Sequence, residues 1–171
     1  MYNEFEGIAL TMATSIHINS ITAAYNGEIG IHLSAMNDTY ITNIIASHNN
    51  GDGMFIKNMN NTRLTNATLV HNSANGLEVY TMTNTHITNT ATTHNDIDGM
   101  DLSEMSNTYM TNMTTAYNGM SGMSLLYMDN THISNMSATH NFEFGMYFQC
   151  IHNTHVTKIT AMYKMEWIYQ R

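Results

Sequence analysis

Seven glycines, Gly7, Gly30, Gly53, Gly76, Gly99, Gly122 and Gly145, stand 23 residues apart with no insertion or deletion between them. A fixed period of this size signals a solenoid, a propeller or an array. Counting each glycine as position 1, the unit reads G-M-x-L-x-x-M-x-N-T-H-I-T-N-x-x-A-x-H-N-x-x-x. Apolar residues recur two apart, as in Met100 with Leu102 and Met123 with Leu125, which is the alternation of a strand and not of a helix. Three short strand pieces fit the unit, at positions 2–4, 10–14 and 16–19. A propeller blade needs about 40 residues for its four strands. The unit is therefore one coil of a β-solenoid, each strand pairing in parallel with its copy in the next coil. At about 4.8 Å per coil, the coils make a rod roughly 34 Å long. The expected domain is the whole chain, 1–171, with 1–6 ending a preceding coil and 164–171 forming a C-terminal edge or cap.

The columns have physical meaning in such a rod. Position 4 (Leu10, Leu33, Ile56, Val79, Leu102, Leu125, Phe148) and position 12 (Ile18, Ile41, Leu64, Ile87, Met110, Ile133, Val156) are inward stacks of like on like. Position 7 is a methionine column, a flexible thioether at a corner. Position 17 is small, with Ala23, Ala46, Ala138 and Ala161. The glycines mark a turn with positive φ, or a close approach to a neighbouring backbone. Two asparagine columns carry a donor and an acceptor every coil, so amides hydrogen-bond along the stack. They are Asn43, Asn66, Asn89, Asn112 and Asn135 at position 14, and Asn26, Asn49, Asn72, Asn95, Asn118 and Asn141 at position 20. Proline is absent from the chain, as a ladder that needs every N–H demands.

Composition excludes several functions. A formal charge of −8 with five Lys plus Arg argues against nucleic acid, whose phosphates need a basic face. No apolar run approaches the roughly 18 residues of a membrane span, and the opening MYNEFEGIAL shows no leader pattern. A lone Cys150 forms no internal disulfide.

The pattern G-I-x-L-…-N-x-x-I-x-N, written as GIHLSAMNDTYITNIIASHN from Gly30 and GMSLLYMDNTHISNMSATHN from Gly122, resembles the parallel β-helix repeats of right-handed, pectate-lyase-like proteins. The resemblance implies a right-handed coil with three sheets. It leaves function open, because that family mixes polysaccharide lyases, hydrolases, epimerases, adhesins, copper-pathway proteins and structural fibres.

Sugar-cleaving members imply G-H-G, N-T-D, R-x-K or adjacent aspartates, and none occurs here. Lys57 and Arg63 share a coil without an acidic cluster read beside them. No catalytic residue and no cofactor is expected, and the chain is expected not to be an enzyme. Asp96, Asp98 and Asp101 in NDIDGMD resemble the start of a calcium loop without its distal glutamate. Positions 11 and 19 alternate His with Tyr, which suits ring stacking better than metal ligation, since Tyr does not stand in for a zinc or copper ligand. Sequons occur at Asn37, Asn60, Asn66, Asn112 and Asn135. Asn37 and Asn60, at position 8, are the glycosylation candidates, because a glycan on the position-14 ladder would break it. Small outward residues at positions 16 and 18 leave ice binding as a further alternative, with metal binding beside it.

The expected function is a structural or adhesive segment of an extracellular or surface fibre. Its copies, or flanking coils of a longer chain, would stack head to tail, with Glu4 and Glu6 facing Lys158, Lys164 and Arg171. The alternative is a carbohydrate-binding or polysaccharide-active β-helix, with glycans as partners.

Overall fold

The computed structural model describes residues 3–162 and the backbone of 165–168. Lys164 and Arg171 lie outside the described side chains. The fold is all-β, and strands alternate between two parallel sheets, one of eight strands and one of seven. In a full coil the first sheet takes positions 2–8, as in Met54–Asn60, and the second takes positions 11–18, as in Arg63–Val70. Registers run at the period: Leu33 pairs with Ile56, Ile56 with Val79, and Ile41 with Leu64. The last strand, Met165–Ile168, breaks it, because Met146 pairs with Met165, so the final turn closes in 19 residues. Among the described residues no helix is long and apolar enough to cross a membrane.

Four left-handed residues shape each coil that is described in full. In the third coil they are Asn58, Asn61, Asn66 and His71, with φ of 53°, 51°, 57° and 57°. Asn, Asp and His tolerate this region better than most residues because their short polar side chains bond locally. The bends at positions 6 and 14 fall inside the two long strands and skip one ladder pair each: Lys57 pairs with Tyr80 and Met59 with Met82, while Asn58 pairs with nothing. The expected second and third strand pieces are thus two facets of one bent strand, hydrogen-bonded as a single sheet.

The N-T pair of the repeat makes the corner between the sheets. The threonine at position 10 turns inward and its hydroxyl donates to the carbonyl two residues back, as Thr85 does to Thr83 at 3.1 Å and Thr108 to Ser106 at 3.1 Å. Both threonines are fully buried, and this bond satisfies the oxygen that burial would otherwise strand. The core holds positions 2, 4, 7, 12 and 15, including Leu33, Met36, Ile41 and Ile44.

Among the described residues no glycine has positive φ, so the first of the two expected glycine roles is corrected. The second holds. A Cβ on Gly53 would lie 2.7 Å from Asn72 Nδ2 and 2.7 Å from the Gly76 carbonyl oxygen. The column is glycine because its own copy and the amide ladder leave no room for a carbon.

The two predicted ladders form with opposite sense. In the buried one Asn26 donates to Asn49 at 2.7 Å, and Asn49 to Asn72 at 2.9 Å, toward higher numbers. In the exposed one Asn66 donates to Asn43 at 3.2 Å, and Asn112 to Asn89 at 3.0 Å, toward lower numbers. Asn3 joins the buried ladder through Asn26. Lys158 keeps the left-handed bend of position 14, with φ 52°, and is exposed.

Candidate functional site

Parallel pairing sends alternate residues of the first sheet outward, so position 3 forms a surface column: His32, Phe55, Glu78, Asp101, Ser124 and Tyr147. Beside it runs position 23, with Asp52, Asn75, Asp98 and Ser121. The side chains of Asp52, Asn75 and Asp98 each accept from the backbone of the next coil. Asn75 N donates to Asp52 Oδ1 at 2.8 Å, Asp98 N to Asn75 Oδ1 at 3.1 Å, and Ser121 N to Asp98 Oδ1 at 2.7 Å. The carboxyl groups are therefore fixed in place, and Asn75 Nδ2 ties Glu78 to them at 3.0 Å.

Glu78 and Asp101 are direct register partners, so their backbones lie about 4.8 Å apart. Burial pushes Asp52 up from the ordinary 3.8 to about 6, against the Asn75 N–H that favours ionisation, with the charge and hydrogen bond of Glu78 adding to the rise. Asp98 also rises to about 6, first through burial and then through the charges of Asp101 and Glu143, opposed by the Ser121 N–H. Asp101 is raised by burial and by Glu78, while a hydrogen bond with Ser124 works the other way. Asp52, Glu78, Asp101, Asp98 and Glu143 thus form one electrostatically linked line across the coils. Two of its members, Asp52 and Asp98, are raised to about 6 beside further carboxyl groups of the line. This is the pairing of donor and acceptor that acid–base chemistry at a glycosidic oxygen or sugar carbon requires.

Further groups extend the face. Lys57 Nζ lies 5.5 Å from the centre of the Tyr80 ring. Tyr80 Oη donates to Glu104 Oε1 and Thr81 Oγ1 to Glu104 Oε2, both at 2.9 Å. The hydrogen bond and charge of Glu104 raise the Tyr80 phenol. Aromatic pairs stand on either side of the acidic centre: His32 with Phe55 at 5.1 Å, and Phe144 with Tyr147 at 5.6 Å. His32 Nδ1 also sits 2.8 Å from Glu6 Oε1.

Of the three aspartates grouped by sequence, the structure unites Asp98 and Asp101 and separates Asp96. Asp96 lines a shallow groove of about 580 Å³ with His94, Tyr117, Gly119, His140 and Phe142. Among the described residues no group of three or more His, Cys, Asp or Glu is arranged to hold a metal ion. The ring columns pack ring on ring, tilted from His48 to His71 at 5.1 Å and from His71 to His94 at 4.9 Å, and stacked from Tyr117 to His140 at 4.8 Å. Asn37 is exposed, whereas Asn60 is half-buried and its Oδ1 accepts from Asn84 at 3.0 Å. Asp52 and Glu78 were missed from sequence because each is isolated in its own coil. Writing out positions 23 and 3 as outward columns would have found them.

Residues 55–162 match the family described as right handed beta helix region. The chain belongs to this family. Right-handedness, implied by the repeat, is thereby shown. No curated protein sequence matches the chain. Among solved structures it is similar to the periplasmic alginate epimerase AlgG, with 13% identity and a TM-score of 0.71 over 97% of this chain and 44% of that one. It is similar to the A-module of the Azotobacter vinelandii mannuronan C-5 epimerase AlgE6, with 18% identity and a TM-score of 0.63 over 82% and 39%. The enzymatically active domain of tailspike protein 2 from bacteriophage CBA120 follows, with 14% identity and a TM-score of 0.66 over 82% and 22%. The chain spans less than half the length of each. The expectation of a non-enzymatic chain is corrected here. It rested on missing motifs, whereas proteins sharing this fold are named as epimerases and as an enzymatically active tailspike domain.

Proposed function

We propose that this chain is a polysaccharide-active β-helix that binds a glycan across the outer face of its first sheet and performs acid–base chemistry there. The carrying observation is the line of carboxyl groups, in which Asp52 and Asp98 are held at about 6 beside Glu78 and Asp101. Asp98 or Asp52 supplies a proton, and Glu78 or Asp101 accepts one or stabilises developing positive charge. Lys57 and Tyr80 border the same face and orient hydroxyl groups of the sugar. Support also comes from the similar solved structures, whose names describe alginate and mannuronan epimerases and an enzymatically active tailspike domain. This reading displaces the structural fibre as the leading one. An extracytoplasmic setting accords with it, since AlgG is named as periplasmic.

The test is a panel of polysaccharides incubated with the protein and followed for new reducing ends, unsaturated products, epimerised sugars and binding heat. Turnover near pH 6 is expected, falling by about a hundredfold or more in Glu78→Gln and Asp98→Asn. Absence of both binding and turnover with every glycan of the panel would end the proposal.

A further inference from the structure

The charge on this face runs opposite to what a uronate polymer needs. A polyuronate carries one carboxylate per sugar, and a site that holds it must set a cation or a neutral donor against each one. Across coils two to five the face instead carries Asp52, Glu78, Asp98, Asp101 and Glu104. The only lysine or arginine among these columns in the described residues is Lys57, and it is already seated over the Tyr80 ring beside Glu104. His32 is likewise spent on Glu6. The carboxylates raise one another: Glu78 acts on Asp52 and Asp101, and Asp101 and Glu143 act on Asp98. That mutual effect means the negative field is not neutralised from within the protein. Bringing in more anions would cost further repulsion, whereas cations would relieve it.

Spacing adds a second constraint. Glu78 and Asp101 stand one coil repeat apart, about 4.8 Å, a length close to that of one pyranose in an extended glycan. The His32–Phe55 and Phe144–Tyr147 pairs stand on the same face to either side of the acidic stretch. From the Phe55 coil to the Tyr147 coil is four repeats, about 19 Å. Flat rings there offer stacking surfaces for sugars at both ends of the acidic stretch.

Resting on the polysaccharide reading above, we infer that the glycan this face takes is a polymer of amino sugars with free ammonium groups, and not a polyuronate. The ammonium groups pair with Glu78 and Asp101, and the terminal sugars stack on Phe55 and Tyr147.

The experiment measures binding of three hexasaccharides by calorimetry at about pH 6.5 and low salt: a hexamer of glucosamine, its fully N-acetylated form, and a hexamer of uronic acid. The glucosamine hexamer is expected to bind at least about tenfold tighter than either other. Glu78→Gln with Asp101→Asn should lose about tenfold of that affinity. Asp38→Asn with Asp129→Asn, at the exposed corner between the sheets, should lose less than about twofold. Should the double variant at the face not fold, Glu104→Gln, an exposed single change, is expected to weaken binding in the same direction. Equal or tighter binding of the uronate or N-acetylated hexamer overturns the charge inference and leaves the glycan face standing. An equal loss in the corner variant also overturns it, because attraction would then come from the overall charge of the chain. No binding of any hexamer overturns the glycan face itself.

Discussion

Asn72 Oδ1 accepts two hydrogen bonds from one residue, Asn49: from its backbone N–H at 3.2 Å and from its Nδ2 at 2.9 Å. Both residues are 1% exposed, and Asn72 Nδ2 donates onward to Asn95 and to the Ala46 carbonyl. Asn72→Ala removes one acceptor and strands two buried donors, each costing about 1–3 kcal/mol. The expected loss is about 4 kcal/mol in chemical denaturation.

The exposed ladder answers differently. Asn66 sits at φ 57°, where an ordinary L-residue is penalised by roughly 1–2 kcal/mol and glycine is not. Asn66→Ala and Asn66→Gly delete the same amide. Alanine is expected to be the costlier by about 1 kcal/mol, which would show that conformation outweighs the solvated amide chain at this position.

At Gly99 the constraint is space. An added Cβ would meet the Gly122 carbonyl oxygen at 2.6 Å, Thr92 Oγ1 at 2.6 Å and Asn118 Nδ2 at 2.7 Å. None is the free end of a long side chain. Gly99→Ala is expected to cost about 3 kcal/mol or more through overpacking, despite the ordinary backbone angle.

Asp52 makes stability depend on pH. Its carboxyl rises from 3.8 to about 6 on folding, so the folded protein holds a proton that the unfolded chain releases. The resulting stabilisation is complete below about pH 4 and is lost as pH rises through about 6. Asp52→Asn keeps an acceptor for the Asn75 N–H and does not titrate. Relative to the parent, the variant should gain about 2 kcal/mol between pH 4 and pH 7, read as a widening difference in melting temperature. A constant difference would contradict the assignment.

The hydroxyls of Thr92 and Thr115 are buried in the interior without a hydrogen-bond partner among the described residues, and both residues are 0% exposed. Valine has the same shape without the polar atom. Thr92→Val and Thr115→Val are each expected to stabilise by about 1 kcal/mol.

How far the sequence reached follows from what a column shows. Leu33, Ile56 and Val79 declare an inward stack, and Asn49, Asn72 and Asn95 declare a ladder, because like meets like at the period. The bend at position 6 leaves no such mark: Ala35, Asn58, Thr81, Glu104 and Tyr127 all adopt positive φ there. No shared residue type reveals it, so the strand beyond it at positions 7 and 8, where Met59 pairs with Met82, reads from sequence as a corner. The site was half legible for a related reason. Asp98 and Asp101 are neighbours along the chain, while Asp52 and Glu78 become their neighbours only when coils stack. Asp96 fails in the opposite way, since the turn before Gly99 sends it to the groove beside Phe142.

The register that places Ile56 between Leu33 and Val79 gives nearly every residue its own copies as nearest neighbours. A replacement in one coil is therefore judged by how well it fits the unreplaced versions above and below it. The Gly53 column shows this at its sharpest, with room in each coil set by the glycine of the next. Resemblance between coils is then more than an inheritance from duplication. It is continually enforced, since a coil that drifts alone loses fit on both sides, and the repeat edits itself toward uniformity.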